Sequence, residues 1–327
     1  MPRMSRRTLP ALVAAAGCAV QAQAQDAAGF PSQTVRLIVP FPPGGPADLV
    51  ARALARDLAA DWRQPVVVEN RAGGNGFPAA EAVARALPDG HTLFVPFFGT
   101  LVVVPHLYPS LPFDPIRDFA PVAALATLPL MLVVKPDAPF RSVSDIVEAA
   151  RRQPGTISYA SGGVGQGAHL AGALLQQMTG APLVHVPYRG NAPAVADVIA
   201  GHVTMIFDGM ATSLPHVRDG RLRGIAVSTA QRASSMPELP TVAESGWPGF
   251  DVGSWFGLLA PAATPPAIVS AINARVLEVM ARPAFRRMLA DSGLEPLPGS
   301  PAAFATLIRE ETLRWGALIR AAGIRME

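Results

Sequence analysis

Two glycine-rich turns hold the residues of this 327-residue chain best suited to chemistry. Phe41-Pro42-Pro43-Gly44-Gly45-Pro46 follows an apolar run and leads through Asp48 into a helical pattern. Ser161-Gly162-Gly163-Val164-Gly165-Gln166-Gly167 does the same ahead of His169. A helix start leaves several backbone N–H groups without intrahelical partners and carries partial positive charge, so it suits an anion. Glycine lets a ligand approach the backbone, and Pro46 fixes φ just before the helix. Two such starts facing each other across a cleft would grip a dicarboxylate, one at each end. Asp48 has two open roles: stabilising its own helix start, or accepting a hydrogen bond from a bound amine or water. Ser161 either donates its hydroxyl to a ligand or closes the turn, and His169 is either a contact or an ordinary helical histidine.

A third stretch, Tyr188-Arg189-Gly190, forms a strand end entering a turn. Arg189 has the planar fork suited to a carboxylate, or simply faces solvent. Tyr188 contributes a hydroxyl or packs on the surface. Asp208, closing the run VTMIFD, is placed to receive an amine or an ordered water. Gly99 and Thr100, in the loop after the third strand, complete the candidate ligand contacts, beside an apolar wall of Phe97, Phe98 and Leu101.

Enzyme machinery is sparse. There is no G-x-S-x-G elbow, and Lys135 is the sole lysine, which removes a Walker-type loop. The six histidines show no H-E-x-x-H and no pairs at metal spacing. Gly163-x-Gly165-x-Gly167 lacks the spacing of a dinucleotide fingerprint. No catalytic residue, metal or cofactor is therefore expected. A Ser/His site assembled only in space would support the rival reading, a secreted hydrolase. A purely structural envelope protein is a third.

The elements that position these turns alternate. Thr34 to Val39 reads as a strand, and Val50, Leu54 and Leu58 form one helical stripe. PVVVE, a helix over Ala79 to Ala86 and a strand over Thr92 to Val95 follow, the order of a parallel sheet with crossovers. A long apolar run after Phe119 suits a crossing from one lobe to another. Alternation then resumes with a helix over Ser142 to Gln153, ISYAS, a helix over His169 to Thr179, LVHVPY and a short helix over Ala194 to Ala200. VTMIFD and LRGIAVST read as further strands, WPGFDVGSWFGLLAP as a second crossing, and Ala267 to Arg282 and Pro301 to Ala322 as helices.

The first 24 residues stand apart. Arg3, Arg6 and Arg7 precede the apolar stretch Leu9 to Val20, and Ala22-Gln23-Ala24 supplies a cleavage site. This is the order of a secretory signal peptide, with Ser5-Arg6-Arg7 also suggesting the twin-arginine route. Cys18, the one cysteine, lies inside the leader, so the mature chain would hold no disulfide or thiolate site. Removing the three leader arginines takes 27 basic residues to 24, against 24 acids. A sequence pI near 9.6 therefore gives no sign of a nucleic-acid binder, and no basic stripe is visible.

The motifs VRLIVPFPPGGPADLVAR, VVVENRAGGNG, LPFDPIRDFAPV, YASGGVGQGAHLAG, HVPYRGNAPAVADVIAGHV and ELPTVAESGWPGFDVGSWFGLLAPAATP together resemble the Bug family of periplasmic solute receptors. These are the extracytoplasmic receptors of tripartite tricarboxylate transporters. The resemblance implies an α/β, two-lobed periplasmic-binding-protein fold of type 2, each lobe a mixed, mostly parallel sheet flanked by helices, joined by two crossing segments. It implies a small carboxylate held through backbone amides, hydroxyls and ordered water, and carries over the loops Phe41 to Asp48, Ser161 to His169 and Tyr188 to Gly190. The chain departs from the family at Gly162, Val164, Gln166 and Gly167, where hydroxyl or asparagine side chains are frequent. It departs again at Ala47, where threonine or serine is common.

The resulting expectation is a leader over 1–24, a first lobe over 30–127 and 256–327, and a second over 128–255. The chain would be an exported, monomeric, non-enzymatic receptor. It would deliver a carboxylate with an apolar or aromatic body to a tripartite permease or a sensor.

Overall fold

The computed structural model describes residues 29–73 and 76–326; the expected leader and cleavage site lie outside them. Strand β1 (Val35–Val39), buried except at Arg36, pairs in parallel with β2 (Val66–Asn70) and β3 (Thr92–Phe94). Between them run α1 (Pro46–Trp62) and α2 (Phe77–Ala84). The stripe Val50, Leu54 and Leu58 is fully buried under the sheet, as its four-residue spacing demands. After β3 the chain makes a π-helical turn (Gly99–Val103) running into α3 (Val104–Leu107), where a plain loop was expected.

The run beginning at Phe119 forms one 16-residue strand, β4 (Phe119–Val134). Beyond it, α4 (Val143–Arg152) is started by a reciprocal capping box between Ser142 and Asp145. Then come β5 (Ser158–Ser161), α5 (Gly167–Thr179), β6 (Val184–Pro187), α6 (Asn191–Ala200), β7 (Met205–Gly209), α7 (Met210–Arg218) and β8 (Arg223–Val227). Strand β5 pairs in parallel with both β6 and β7. The chain returns along β9 (Gly253–Pro261) and ends in α8 (Pro266–Ala281), α9 (Pro283–Asp291), a two-residue β10 (Glu295–Pro296) and α10 (Pro301–Ala321).

Two lobes result, each with its own sheet. Strand β4 joins them: its first part pairs with β9 and its last five residues pair with β7. Every antiparallel pair involves β4 or β9, while parallel pairing stays within a lobe. Because side chains alternate along a strand, the crossing strands show different residues to their two faces. Leu128, Leu130 and Ser254 border one cavity, whereas Thr127, Pro129, Gly253 and Trp255 border another on the far side. α10 buries Phe304, Ile308 and Trp315 in the core shared with Phe98 and Leu101.

Candidate functional site

The cavity between the lobes has a volume of about 420 Å³. Both helix starts border it: Pro46, the first residue of α1, from one side, and Gly167 with Ala168, the first turn of α5, from the other. Among the described residues lining it there is no Asp, Glu, Lys, Arg or His. Polar groups are supplied by Thr100, Tyr108, Gln166, Asn191, Thr212 and Ser254. Phe41, Phe97 and Phe98 form a connected aromatic wall, with ring centroids 5.9 Å apart for the first pair and 4.8 Å for the second. Leu101, expected in that wall, turns instead into the core and is fully buried.

The first loop is held by its own aspartate. Asp48, only 3% exposed, accepts hydrogen bonds from the Gly44 amide (3.0 Å), Arg52 Nε (2.8 Å) and Asn70 Nδ2 (2.9 Å). The same Asn70 nitrogen reaches the Phe41 carbonyl at 2.9 Å. Burial pushes the Asp48 carboxyl up, but Arg52, the Gly44 amide and Asn70 together outweigh it and hold it below the usual aspartate value. Its carboxylate therefore serves the loop, and the Gly44 amide is spent on it. The donors that helix geometry leaves at this start are the Ala47 and Asp48 amides, since Pro46 has none.

The second loop is shaped by close approach. A Cβ on Gly165, whose φ is +76°, would lie 2.5 Å from Leu107 Cδ1, so the lobes touch here. A Cβ on Gly167 would come within 2.9 Å of Ser254 Oγ, which sets the α5 start against crossing strand β9. A Cβ at either position would force its neighbour, Leu107 or Ser254, to shift.

Beneath this loop lies a stack of rings that the sequence did not announce. His169 and His185 are parallel at 3.8 Å, and the Tyr159 ring packs against both, 4.9 Å from His185 and 6.3 Å from His169. His169 Nδ1 accepts the Gly165 amide hydrogen at 3.1 Å and so props the loop from below. Burial lowers both histidines to about 4, with the neighbouring His185 adding to the effect on His169, so both are neutral at pH 7. Ser161 Oγ lies 2.6 Å from His185 Nε2. This is the kind of pair that would favour a hydrolase. Yet Ser161 is fully buried, is off the cavity lining, and also bonds within its loop to Gly163.

Of the sequence candidates, Phe41, Gly99, Thr100 and Gly165 line the cavity; Pro43, Gly44, Gly45, Asp48, Ser161, Gly163, His169, Tyr188, Arg189, Gly190 and Asp208 do not. Tyr188 donates to Asp197 Oδ2 at 2.5 Å; burial first, then this bond and the Asp197 charge, push its phenol up to about 12. Arg189 is exposed, and Gly190 caps α6. Asp208 is fully buried behind the wall, where Asn191 Nδ2 (2.8 Å), Ser213 Oγ (2.7 Å) and Thr212 Oγ1 donate to it. The sequence reading missed Tyr108, Asn191, Thr212, Ser254 and Met326 as lining residues. Strand alternation in GSWF was the one available signal for Ser254.

A family model for the tripartite tricarboxylate transporter family receptor matches residues 50–324. The chain belongs to this receptor family. A protein from the tcbD–tcbE intergenic region of Pseudomonas sp. strain P51 is 40% identical over 320 residues, covering 98% of this chain and 95% of its own. BugT of Bordetella pertussis is 35% identical over 316 residues, covering 96% of each, so the Bug resemblance holds. Among solved structures, Rpa4515 of R. palustris with adipate superposes with TM-score 0.78 at 35% identity, over 91% of this chain and all of that one. MatC of Rhodopseudomonas palustris with bound malate gives TM-score 0.72 at 34% identity, over 89% and 100%. The family's members are substrate-binding receptors, and no helix among the described residues is long and apolar enough to cross a membrane.

Proposed function

We propose that this receptor works in the periplasm, where it captures a small organic carboxylate with an apolar or aromatic body and presents it to a membrane permease or a sensor. One observation carries the reading: a single interlobe cavity bordered by two helix starts, with no charged side chain on its described lining. Amide donors at those starts neutralise the carboxylate, and Phe41 and Phe97, backed by the fully buried Phe98, receive the body. Two similar proteins hold adipate and malate, which supports the carboxylate class. Contacts from both lobes stabilise the closed form, with β4 and β9 as the hinge between a first lobe over 30–127 and 256–327 and a second over 128–255. The leader over 1–24 exports the chain, and the receptor acts as a monomer without a cofactor.

Calorimetry against benzoate, phenylacetate, adipate, malate, succinate and citrate tests this. Micromolar binding of an aromatic acid, with citrate and succinate at least tenfold weaker, is the expected result. Tight citrate or succinate binding with no response to aromatic acids removes the apolar-body reading. The hydrolase reading rests on Ser161 and His185. Turnover of a model ester that disappears in Ser161→Ala would establish it; the expected outcome is no turnover and unaltered ligand affinity in that variant.

A further inference from the structure

Asp208, next to last in β7, has no exposed surface, and its carboxylate takes hydrogen bonds from three neutral groups: Asn191 Nδ2, Thr212 Oγ1 and Ser213 Oγ. Among the described residues no cation pairs with it. A buried charge held only by neutral donors is costly, and the cost is lowered when positive charge or a further donor comes near. Two of its three donors, Asn191 and Thr212, also border the ligand cavity.

The hydrogen-bond inventory fixes what those two residues can offer. Thr212 has one hydroxyl hydrogen, and it points back into the protein, toward Asp208 Oδ2 and the Gly209 carbonyl. Only oxygen lone pairs remain for the cavity side. Asn191 gives one of its two amide hydrogens to Asp208, and its Oδ1 is buried without a partner among the described residues, so it presents no acceptor to the cavity. Thr212 Oγ1 is thus an acceptor at this corner of the cleft, with the Asp208 carboxylate directly behind it. The helix starts bordering the same cavity offer the opposite, N–H donors.

We infer that the cleft selects carboxylates that also carry a hydrogen-bond donor, a hydroxyl or an ammonium, which is read by Thr212 Oγ1 with Asp208 behind it. The inference rests on the carboxylate reading above and narrows it. A carboxylate lacking a donor leaves the acceptor corner unsatisfied, and a second carboxylate placed there meets lone pairs and the charge of Asp208.

Calorimetry with matched acids tests it: mandelate against phenylacetate, malate against succinate, and phenylalanine against 3-phenylpropanoate. The donor-bearing member of any pair that binds is expected to be tighter by roughly tenfold or more, the worth of one hydrogen bond to a charged or buried group. A larger gain in the amino pair identifies ammonium as the preferred donor; a larger gain in the hydroxy pairs identifies hydroxyl. In Thr212→Val, an exposed and nearly isosteric change, the advantage of the donor-bearing acid should fall to about threefold or less, while Thr212→Ser keeps the advantage. Asp208→Asn should erode it in the same direction. Tight binding of plain and donor-bearing acids without preference overturns the inference and leaves the carboxylate reading standing. The absence of binding by every acid overturns the carboxylate reading, and this inference with it.

Discussion

The two cavities that share the crossing strands are nearly equal in size, about 420 Å³ between the lobes and about 430 Å³ behind them, yet opposite in chemistry. The interlobe cavity has no charged side chain on its described lining. The rear cavity is bordered by Arg232, Arg314, Asp251, Glu295 and Glu311. Those charges are engaged with the protein itself. Arg232 bonds Glu244, Arg314 bonds Glu311 and the Asp251 carbonyl, and Glu295 accepts from both the amide and hydroxyl of Ser234 at 2.7 Å. Burial pushes the Glu311 carboxyl up, and Arg314 and Trp315 only partly offset it. Volume alone does not mark a binding site. What marks it is polar capacity left over for a guest, and the front cavity keeps helix-start amides that the rear one lacks.

The contrast can be broken from either side. The largest effect is expected at Gly165, where the lobes meet: Gly165→Ala puts a Cβ into Leu107 and strains a positive φ, and should weaken ligand binding by tenfold or more. Leu107→Ala should restore part of the loss in a double-mutant cycle, and additive losses would show that the contact has no bearing on closure. Next, Asp48→Ala strands the Gly44 amide, Arg52 and Asn70. A stability loss of roughly 2–3 kcal/mol by chemical denaturation is expected, along with weaker binding; an unchanged midpoint would deny Asp48 its role in the loop.

The stacked histidines add a pH dependence to the front. Their folded values sit near 4 against an ordinary 6.5, so the unfolded chain takes up protons first as pH falls. Stability from this pair is full above about pH 6.5 and is lost progressively toward pH 4. Protonating His169 also removes the acceptor that props Gly165. Melting temperatures measured from pH 7 to 4 should fall along this window, and His169→Gln should flatten the fall; a level profile in the native protein contradicts the stack. The smallest effect is expected behind the hinge. Glu295→Gln weakens an exposed bond to Ser234, and should change ligand affinity less than about threefold and stability by under about 1 kcal/mol. A larger shift in affinity would mean that the rear contacts hold the lobes in one arrangement.

Much of the architecture could be read from the sequence because its signals are local. The Val50, Leu54, Leu58 stripe, the helix after Ser142 and the β-branched strands each depend on neighbours a few residues away. The two turns flanking one cavity were also legible as Gly-rich loops ahead of helices, although the second helix starts at Gly167, two residues before the predicted His169. The partners of Asp48 were only half visible: Arg52 is four residues on, but Asn70 is 22 residues away, and only folding brings it there. The same holds for Asp208, read as a ligand contact and found one layer behind the wall, with Asn191 and Thr212 in front of it. The histidine stack joins two strands and a helix that no spacing rule connects.

The most direct test is a crystal structure of the receptor with the tightest-binding acid of the panel. Its carboxylate oxygens should lie about 2.7–3.2 Å from backbone amides at the starts of both α1 and α5, with no arginine or lysine within reach. A carboxylate paired with an arginine, or seated in the rear cavity, would contradict the idea that opposed helix starts hold the guest.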